Sequence, residues 1–147
     1  MTKLETRNLK LGETAAQNPS AVRDFVDLDA WKLARALRQR VYATTRQFPA
    51  EERHVLISQL RRAALSITAN IAEGFGRYSY RENIHFCRQA RGSAYEVRDH
   101  LTSALDARYI QVKDCEEIDA VAQRVIQVLN GYIRATQKRL AAAKHGN

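Results

Sequence analysis

The sequence predicts an all-α protein, an antiparallel up-down-up-down four-helix bundle. Apolar residues recur at steps of three and four along four long stretches, the periodicity of a helix with one buried face. Pro19 and Pro49, with Gly12, Gly74, Gly76 and Gly146, fall at the candidate boundaries between stretches. The three connections are short, and short loops between long helices make neighbours antiparallel.

The elements follow in order. Residues 1–24 show no periodicity and contain turn formers, so they are expected to be a flexible N-terminal tail ahead of a bundle domain over 25–144. The first helix is expected from Leu28 to Phe48 with Asp27 as its N-cap, burying Ala30, Ala34, Leu37, Val41 and Phe48. Pro49 opens the second, where a missing N–H costs little, and Glu51 and Glu52 suit its dipole. Its stripe is Leu56, Leu60, Ala63, Ile67 and Ile71, and Gly74 and Gly76 are expected to end it. Ser79 with Glu82 reads as a capping box for the third helix, whose seam is Asn83, Cys87, Ala90, Ala94, Val97, Leu101 and Ala104. Asp114 with Glu117 reads as the same device for the fourth, with Ile118, Val121, Val125, Leu129, Tyr132, Thr136 and Leu140 inward.

Composition excludes several function classes. The chain has 147 residues, 45% hydrophobic and 27% charged, enough for one domain with a real core. No window approaches the roughly 18 apolar residues of a membrane helix. Met1 to Pro19 lacks an apolar signal core, so no membrane and a cytoplasmic location are expected. Cys87 and Cys115 fall on separate helices and read as reduced thiols. Two Glu-x-x-His pairs, Glu51 with His54 and Glu82 with His85, suggest a bundle metal site. They begin consecutive antiparallel helices, which separates them by roughly 35–40 Å at the helical rise. No metal, no cofactor and no catalytic residue are therefore expected, and the protein is read as no enzyme. Gly74-Phe75-Gly76 lacks the lysine and the preceding strand of a phosphate loop.

The net charge is +8, a balance that favours an anionic partner such as RNA or DNA. The excess is greatest on the first helix, with five cations against one acid over residues 28–48. Lys32, Arg35 and Arg46 share a face there, bordered by Trp31 and Tyr42. On the third helix Arg81, Arg88, Arg91, Tyr95 and Arg98 flank the apolar seam. Between the second and third helices, Arg77-Tyr78-Ser79-Tyr80-Arg81 sets cations and rings beside a helix N-terminus. The competing reading is a solvated basic face, partly paired to Glu96, Asp99 and Asp106. Gly92 lies mid-helix, which close approach of another helix would explain. Leu65 lies off its helix's apolar stripe and, with Ala69 and Ala72, reads as an oligomer contact.

The second helix carries a polar row, Gln59, Arg62, Ser66, Asn70, Glu73 and Arg77, at steps of three and four. It is either a hydrogen-bonded seam inside the bundle or a contact with another subunit. The surrounding sequence resembles the 23S rRNA intervening-sequence protein family, also called S23 or "four helix bundle" proteins. The matching pieces are Gln59-Leu60-Arg61-Arg62-Ala63-Ala64, Ser66-Ile67, Asn70-Ile71-Ala72-Glu73-Gly74, and Phe86 followed by Ala90-Arg91-Gly92-Ser93. Pro49 with Glu52, and Tyr109-Ile110, fit as well, so the resemblance spans residues 28–135. It implies an antiparallel four-helix bundle and a ring-shaped homo-oligomer, a pentamer. A similar bundle occurs in accessory proteins of diversity-generating retroelements, which bind nucleic acid and reverse transcriptase. Two functional expectations follow. One is a homo-oligomeric scaffold binding RNA or DNA through basic helix faces. The other is a protein–protein interaction scaffold without nucleic-acid affinity.

Overall fold

The computed structural model describes residues 21–146. Residues 1–20, most of the expected tail, lie outside the described residues. Four helices account for most of the rest: α1 (Asp29–Thr45), α2 (Leu56–Gly76), α3 (Tyr80–Asp106) and α4 (Val112–His145). Two single turns of 3-10 helix precede α1 and α2, at Phe25–Asp27 and Ala50–Glu52. No strand occurs among the described residues.

The expected stripes are the core. Ala30, Ala34, Leu37, Val41 and Phe48 are buried, as are Leu56, Leu60, Ala63, Ile67 and Ile71. In α3 the buried seam runs Ile84, Cys87, Ala90, Ala94, Val97, Leu101 and Ala104, with Asn83 half-buried beside it. In α4, Ala122, Ile126 and Ile133 are buried in addition to the expected positions, while Val121, Tyr132 and Leu140 are half-buried. Cys87 and Cys115 are buried and unpaired, on α3 and α4. Burial pushes the Cys87 thiol up to about 11.

Each helix packs against two others: α1 on α2 and α4, and α3 on α2 and α4. Polar pairs mark the registers. Arg38 meets Thr68 and Arg61 meets Thr45 across α1 and α2. Arg62 meets Glu96 and Ser66 meets Ser93 across α2 and α3. Asn83 meets Tyr132, Arg91 meets Asn130 and Arg98 meets Asp119 across α3 and α4.

Several expected boundaries are corrected. Asp27 does not cap α1. Its carboxylate accepts the Arg23 and Asp24 N–H groups, both at 3.0 Å, and so closes the 3-10 turn, while Leu28 sits at the α1 cap position without a side-chain bond. α1 ends at Thr45 rather than Phe48. Pro49 starts the short turn, and the Glu52 carboxylate then accepts the Leu56 N–H at 3.2 Å, while Val55 sits at the α2 cap position without a side-chain bond. Ser79 accepts the Glu82 N–H of α3 at 3.4 Å, which is half of the expected box; the Ser79 N–H makes no return bond to the Glu82 carboxylate. Asp114 and Glu117 do not form a box, because α4 begins earlier, at Val112, and has no side-chain cap.

The glycines exchange roles. Gly74 does not end α2; it is buried within it, at the crossing with α3. A Cβ there would lie 2.9 Å from Phe86 Cβ, 3.0 Å from Asn83 Oδ1 and 3.2 Å from the Asn83 carbonyl oxygen. At Gly92, where close approach was expected, a Cβ would meet nothing within 4 Å. The two alanine variants should therefore diverge. Gly74→Ala should lower stability by about 1–3 kcal/mol, the usual scale of core overpacking. Gly92→Ala should raise it by about 0.5–1 kcal/mol through helix propensity. Urea denaturation read by helical circular dichroism checks both, and equal midpoints would contradict the assignment.

Candidate nucleic-acid interface

The expected basic flank of α3 divides in two. Arg98 donates to Asp119 of α4 at 2.7 Å through Nε, and its guanidinium carbon lies 5.7 Å from the centre of the Tyr95 ring. Arg91 donates to Asn130 of α4 at 2.8 Å and is half-buried. Both arginines thus bind the α3–α4 seam. Arg81 and Arg88 stay exposed on the outer face, in line with Tyr95.

The Arg77–Arg81 segment is less cationic than its sequence. The Arg77 guanidinium donates to Glu73 at 2.9 Å, approaches Glu82 at 3.8 Å and sits 5.3 Å over the Phe86 ring. The Glu73 hydrogen bond and the charge of both carboxylates hold it firmly protonated against the opposing effect of burial. Tyr78 projects into solvent at 92% exposure from a left-handed backbone (φ 52°), and Tyr80 is 44% exposed in the first turn of α3. The rings are available here, whereas the leading cation is neutralised.

The polar row of α2 is a seam at the edge of the α2–α3 contact. Gln59 accepts from Arg62 at 3.0 and 3.1 Å, and Arg62 pairs with Glu96 of α3. Ser66 shares a 2.8 Å hydrogen bond with Ser93, and Asn70 donates to the Ser66 hydroxyl and carbonyl oxygens. Glu73 closes the row on Arg77. These residues serve each other, with Gln59, Arg62 and Glu73 still exposed on their outer sides.

The first helix is different. Trp31, Arg35, Arg38, Tyr42 and Arg46 fall within about 80° of one another on its circumference, at 3.6 residues per turn. α1 has no acid after Asp29, and none follows in α2 before Glu73. The facing α2 residue Arg61 joins this surface: its guanidinium lies 4.8 Å over the Tyr42 ring, as that of Arg35 lies 5.8 Å over Trp31. Arg38 and Arg61 are anchored reciprocally. Arg38 Nη1 donates to Thr68 of α2 and Arg61 Nε donates to Thr45 of α1, each at 2.9 Å. Both threonines are buried. None of Arg35, Arg38, Arg46 and Arg61 makes an ion pair among the described residues; the α1 cation that does is Arg40, which turns to Glu117 of α4. Lys32 lies at the edge of this face, in a groove of about 920 Å³ also lined by Asp27, Asp29, Tyr132 and Arg139. Arg38 and Arg61 are not among the basic-face residues expected from sequence. The signal for them was the scarcity of acids within α1 after Asp29 and within α2 before Glu73, Glu51 and Glu52 lying in the turn between them.

The Arg98–Asp119 pair also sets an acid response. Burial raises the Asp119 carboxyl, but hydrogen bonds from Arg98 and Gln123 outweigh it and leave it below its ordinary value. A depressed carboxylate stabilises the fold above its unfolded pKa, and that stabilisation fades as pH falls through the folded value. Asp119→Asn should flatten the acid limb of stability below about pH 4, the range in which free aspartates titrate, with a loss near neutrality of about 1 kcal/mol or less for so exposed a pair. Urea midpoints across pH 2–7 measure this, and a variant that tracks the parent curve would refute it.

The described residues contain no helix long and apolar enough to cross a membrane. No curated protein matches the chain. Among solved structures, a protein of unknown function from the S23 ribosomal protein family of Bacteroides thetaiotaomicron VPI-5482 has the same fold, with a TM-score of 0.63 at 22% identity over 71% of this chain and 97% of that one. Residues 26–131 match the family described as 23S rRNA-intervening sequence protein, a span that takes in α1 to α3 and more than half of α4. The chain belongs to the 23S rRNA-intervening sequence protein family.

Proposed function

We propose that this protein is a non-enzymatic, homo-oligomeric helical scaffold that binds RNA or DNA electrostatically through the basic face of α1. The observation that carries the reading is the cluster of Arg35, Arg38, Arg46 and Arg61, none of which makes an ion pair among the described residues. Unpaired guanidiniums on a rigid face are the footprint of a phosphate-binding protein. The proposal includes an up-down-up-down, antiparallel bundle. The cross-helix pairs support it, since Arg38–Thr68 and Arg61–Thr45 advance in opposite senses along α1 and α2. Arg62–Glu96 with Ser66–Ser93, and Arg91–Asn130 with Arg98–Asp119, do the same for the next two pairs.

The oligomeric part of the reading is supported by the outer side of α2. Leu65 is 44% exposed, with Ala69 exposed and Ala72 half-buried on the same side. A small apolar patch on an otherwise polar helix suits contact with a second copy, and a closed ring, a pentamer among them, is a symmetry that repeats one such contact. A ring would also repeat the α1 face around its axis, so weak contacts would add through avidity. The second reading, a protein-interaction scaffold without nucleic-acid affinity, uses the same α2 patch and leaves the α1 cations without a role.

Two measurements test this. Light scattering at micromolar concentration should give a mass several times the 16.7 kDa chain, and Leu65→Glu should reduce it. A monomeric parent protein removes the oligomer from the proposal. Titration of labelled RNA and DNA at low salt should show binding that weakens steeply with salt, by about 0.7–0.9 log units per log unit for each phosphate contact. Absence of binding by the folded, assembled protein to every nucleic acid tried would leave the protein-interaction reading in its place.

A further inference from the structure

We propose that the α1 face selects double-helical nucleic acid over single strands, because its aromatic rings are already covered by its own arginines and two of its guanidiniums, those of Arg38 and Arg61, are anchored on buried threonines. The preference presupposes nucleic-acid binding at this face, as proposed above.

Proteins that hold single strands do so by stacking bases on exposed rings, inside a charged groove. The rings of the α1 face do not offer this. Trp31 packs against the core, takes Phe25 edge-on at 5.3 Å and carries Arg35 over its ring. Tyr42 is half-buried and carries Arg61. The surface presented outward is one of guanidinium groups, which recognise phosphate and read no base from this position.

Two of those guanidiniums are also preorganised. Arg38 and Arg61 each use one of five N–H donors on a buried threonine of the opposite helix, leaving the others for a ligand. Anchored side chains lose little rotamer freedom on binding. From Arg35 to Arg46 the face extends about 16 Å along a straight helix, at 1.5 Å per residue. A duplex presents about one charge per 1.7 Å of axis and is stiff over about 150 base pairs. It meets a straight array of cations, two of them anchored, without being ordered first. A single strand has to be straightened against that array, with no stacking energy in return. The exposed rings Tyr78, Tyr80 and Tyr95 belong to α3 and its entry, away from the unpaired arginines of α1.

The test compares fluorescence anisotropy of a labelled 24-base-pair duplex with that of either strand alone, as RNA and as DNA, over a salt series. The duplex should bind at least about tenfold more tightly, with a steeper salt dependence, since duplex contacts release more counterion than single-strand contacts. The variant Arg35→Gln, Arg38→Gln, Arg46→Gln should lower the duplex salt slope by about 0.9 per arginine lost. Removing the same charge from α4 (Lys113→Gln, Arg124→Gln, Lys144→Gln) should leave the duplex preference intact. Thr45→Val with Thr68→Val keeps every charge but releases Arg38 and Arg61. It should weaken duplex severalfold, spare single strands and so narrow the ratio, with circular dichroism and light scattering confirming fold and assembly. Single strands bound as tightly as duplex by the parent protein overturn the preference while nucleic-acid binding stands. A duplex affinity unmoved by the α1 triple variant overturns the assignment to this face. No binding by any nucleic acid overturns both this preference and the function proposed above.

Discussion

The closeness of α2 to α3 organises this molecule. Where they cross, Gly74 faces Asn83 and Phe86 with no room for a methyl group, and small residues are buried along α2 (Ala63) and α3 (Cys87, Ala90, Ala94). Helices this near each other bring their flanking polar residues within hydrogen-bond reach, which is why Ser66 can meet Ser93 and Arg62 can meet Glu96. Asn83 then ties the same crossing to α4 through the Tyr132 hydroxyl at 2.8 Å. Two helices clasped in this way form a base on which α1 and α4 lay larger residues such as Leu37, Val41, Ile118 and Leu129.

That arrangement divides the cations of the protein into two populations. Arginines beside an acid-bearing neighbour are spent on structure: Arg98 on Asp119, Arg77 on Glu73, Arg62 on Glu96 and Arg40 on Glu117. At the α1–α2 border, Arg38 and Arg61 bond threonine hydroxyls and Arg35 and Arg61 lie over rings, with no ion pair among the described residues. Desolvated rings and threonine oxygens orient a guanidinium without cancelling its charge. The net charge of the chain therefore understates the local field on α1 and overstates it on α3.

Most of the helical framework was legible in the sequence, because burial along an amphipathic helix leaves a direct periodic trace. Leu60, Ile67 and Ile71, or Val97 and Leu101, need no tertiary knowledge to be placed inward. Helix ends were less legible. Asp27 has the chemistry of a cap, yet its carboxylate closes the turn before the helix, and Asp114 lost the same role when α4 began three residues earlier, with Gln111 at the cap position. Glycine was ambiguous for a related reason: Gly74 looks like a stop and is a clearance, while Gly92 looks like a clearance and faces open space. Only the facing helix distinguishes them. The candidate interface was half legible. Lys32, Arg35 and Arg46 stand out along α1, but the significance of Arg38 and Arg61 depends on the opposite helix supplying a threonine, and that of Arg91 and Arg98 on α4 supplying Asn130 and Asp119.

The unequal lengths of the helices have their own consequence. α4 has 34 residues and α1 has 17, so α4 is about 25 Å longer at the helical rise. Its last buried residue is Thr136, Leu140 is half-buried, and every described residue from Ala141 onward is exposed. Turns without a packed face have only propensity and the favourable placement of Lys144 and His145 near the dipole's negative end to sustain them. Amide hydrogens in this overhang will exchange with solvent by local fraying, on a timescale set by a few turns of helix, while those of Val125 and Leu129 wait for the whole bundle to open.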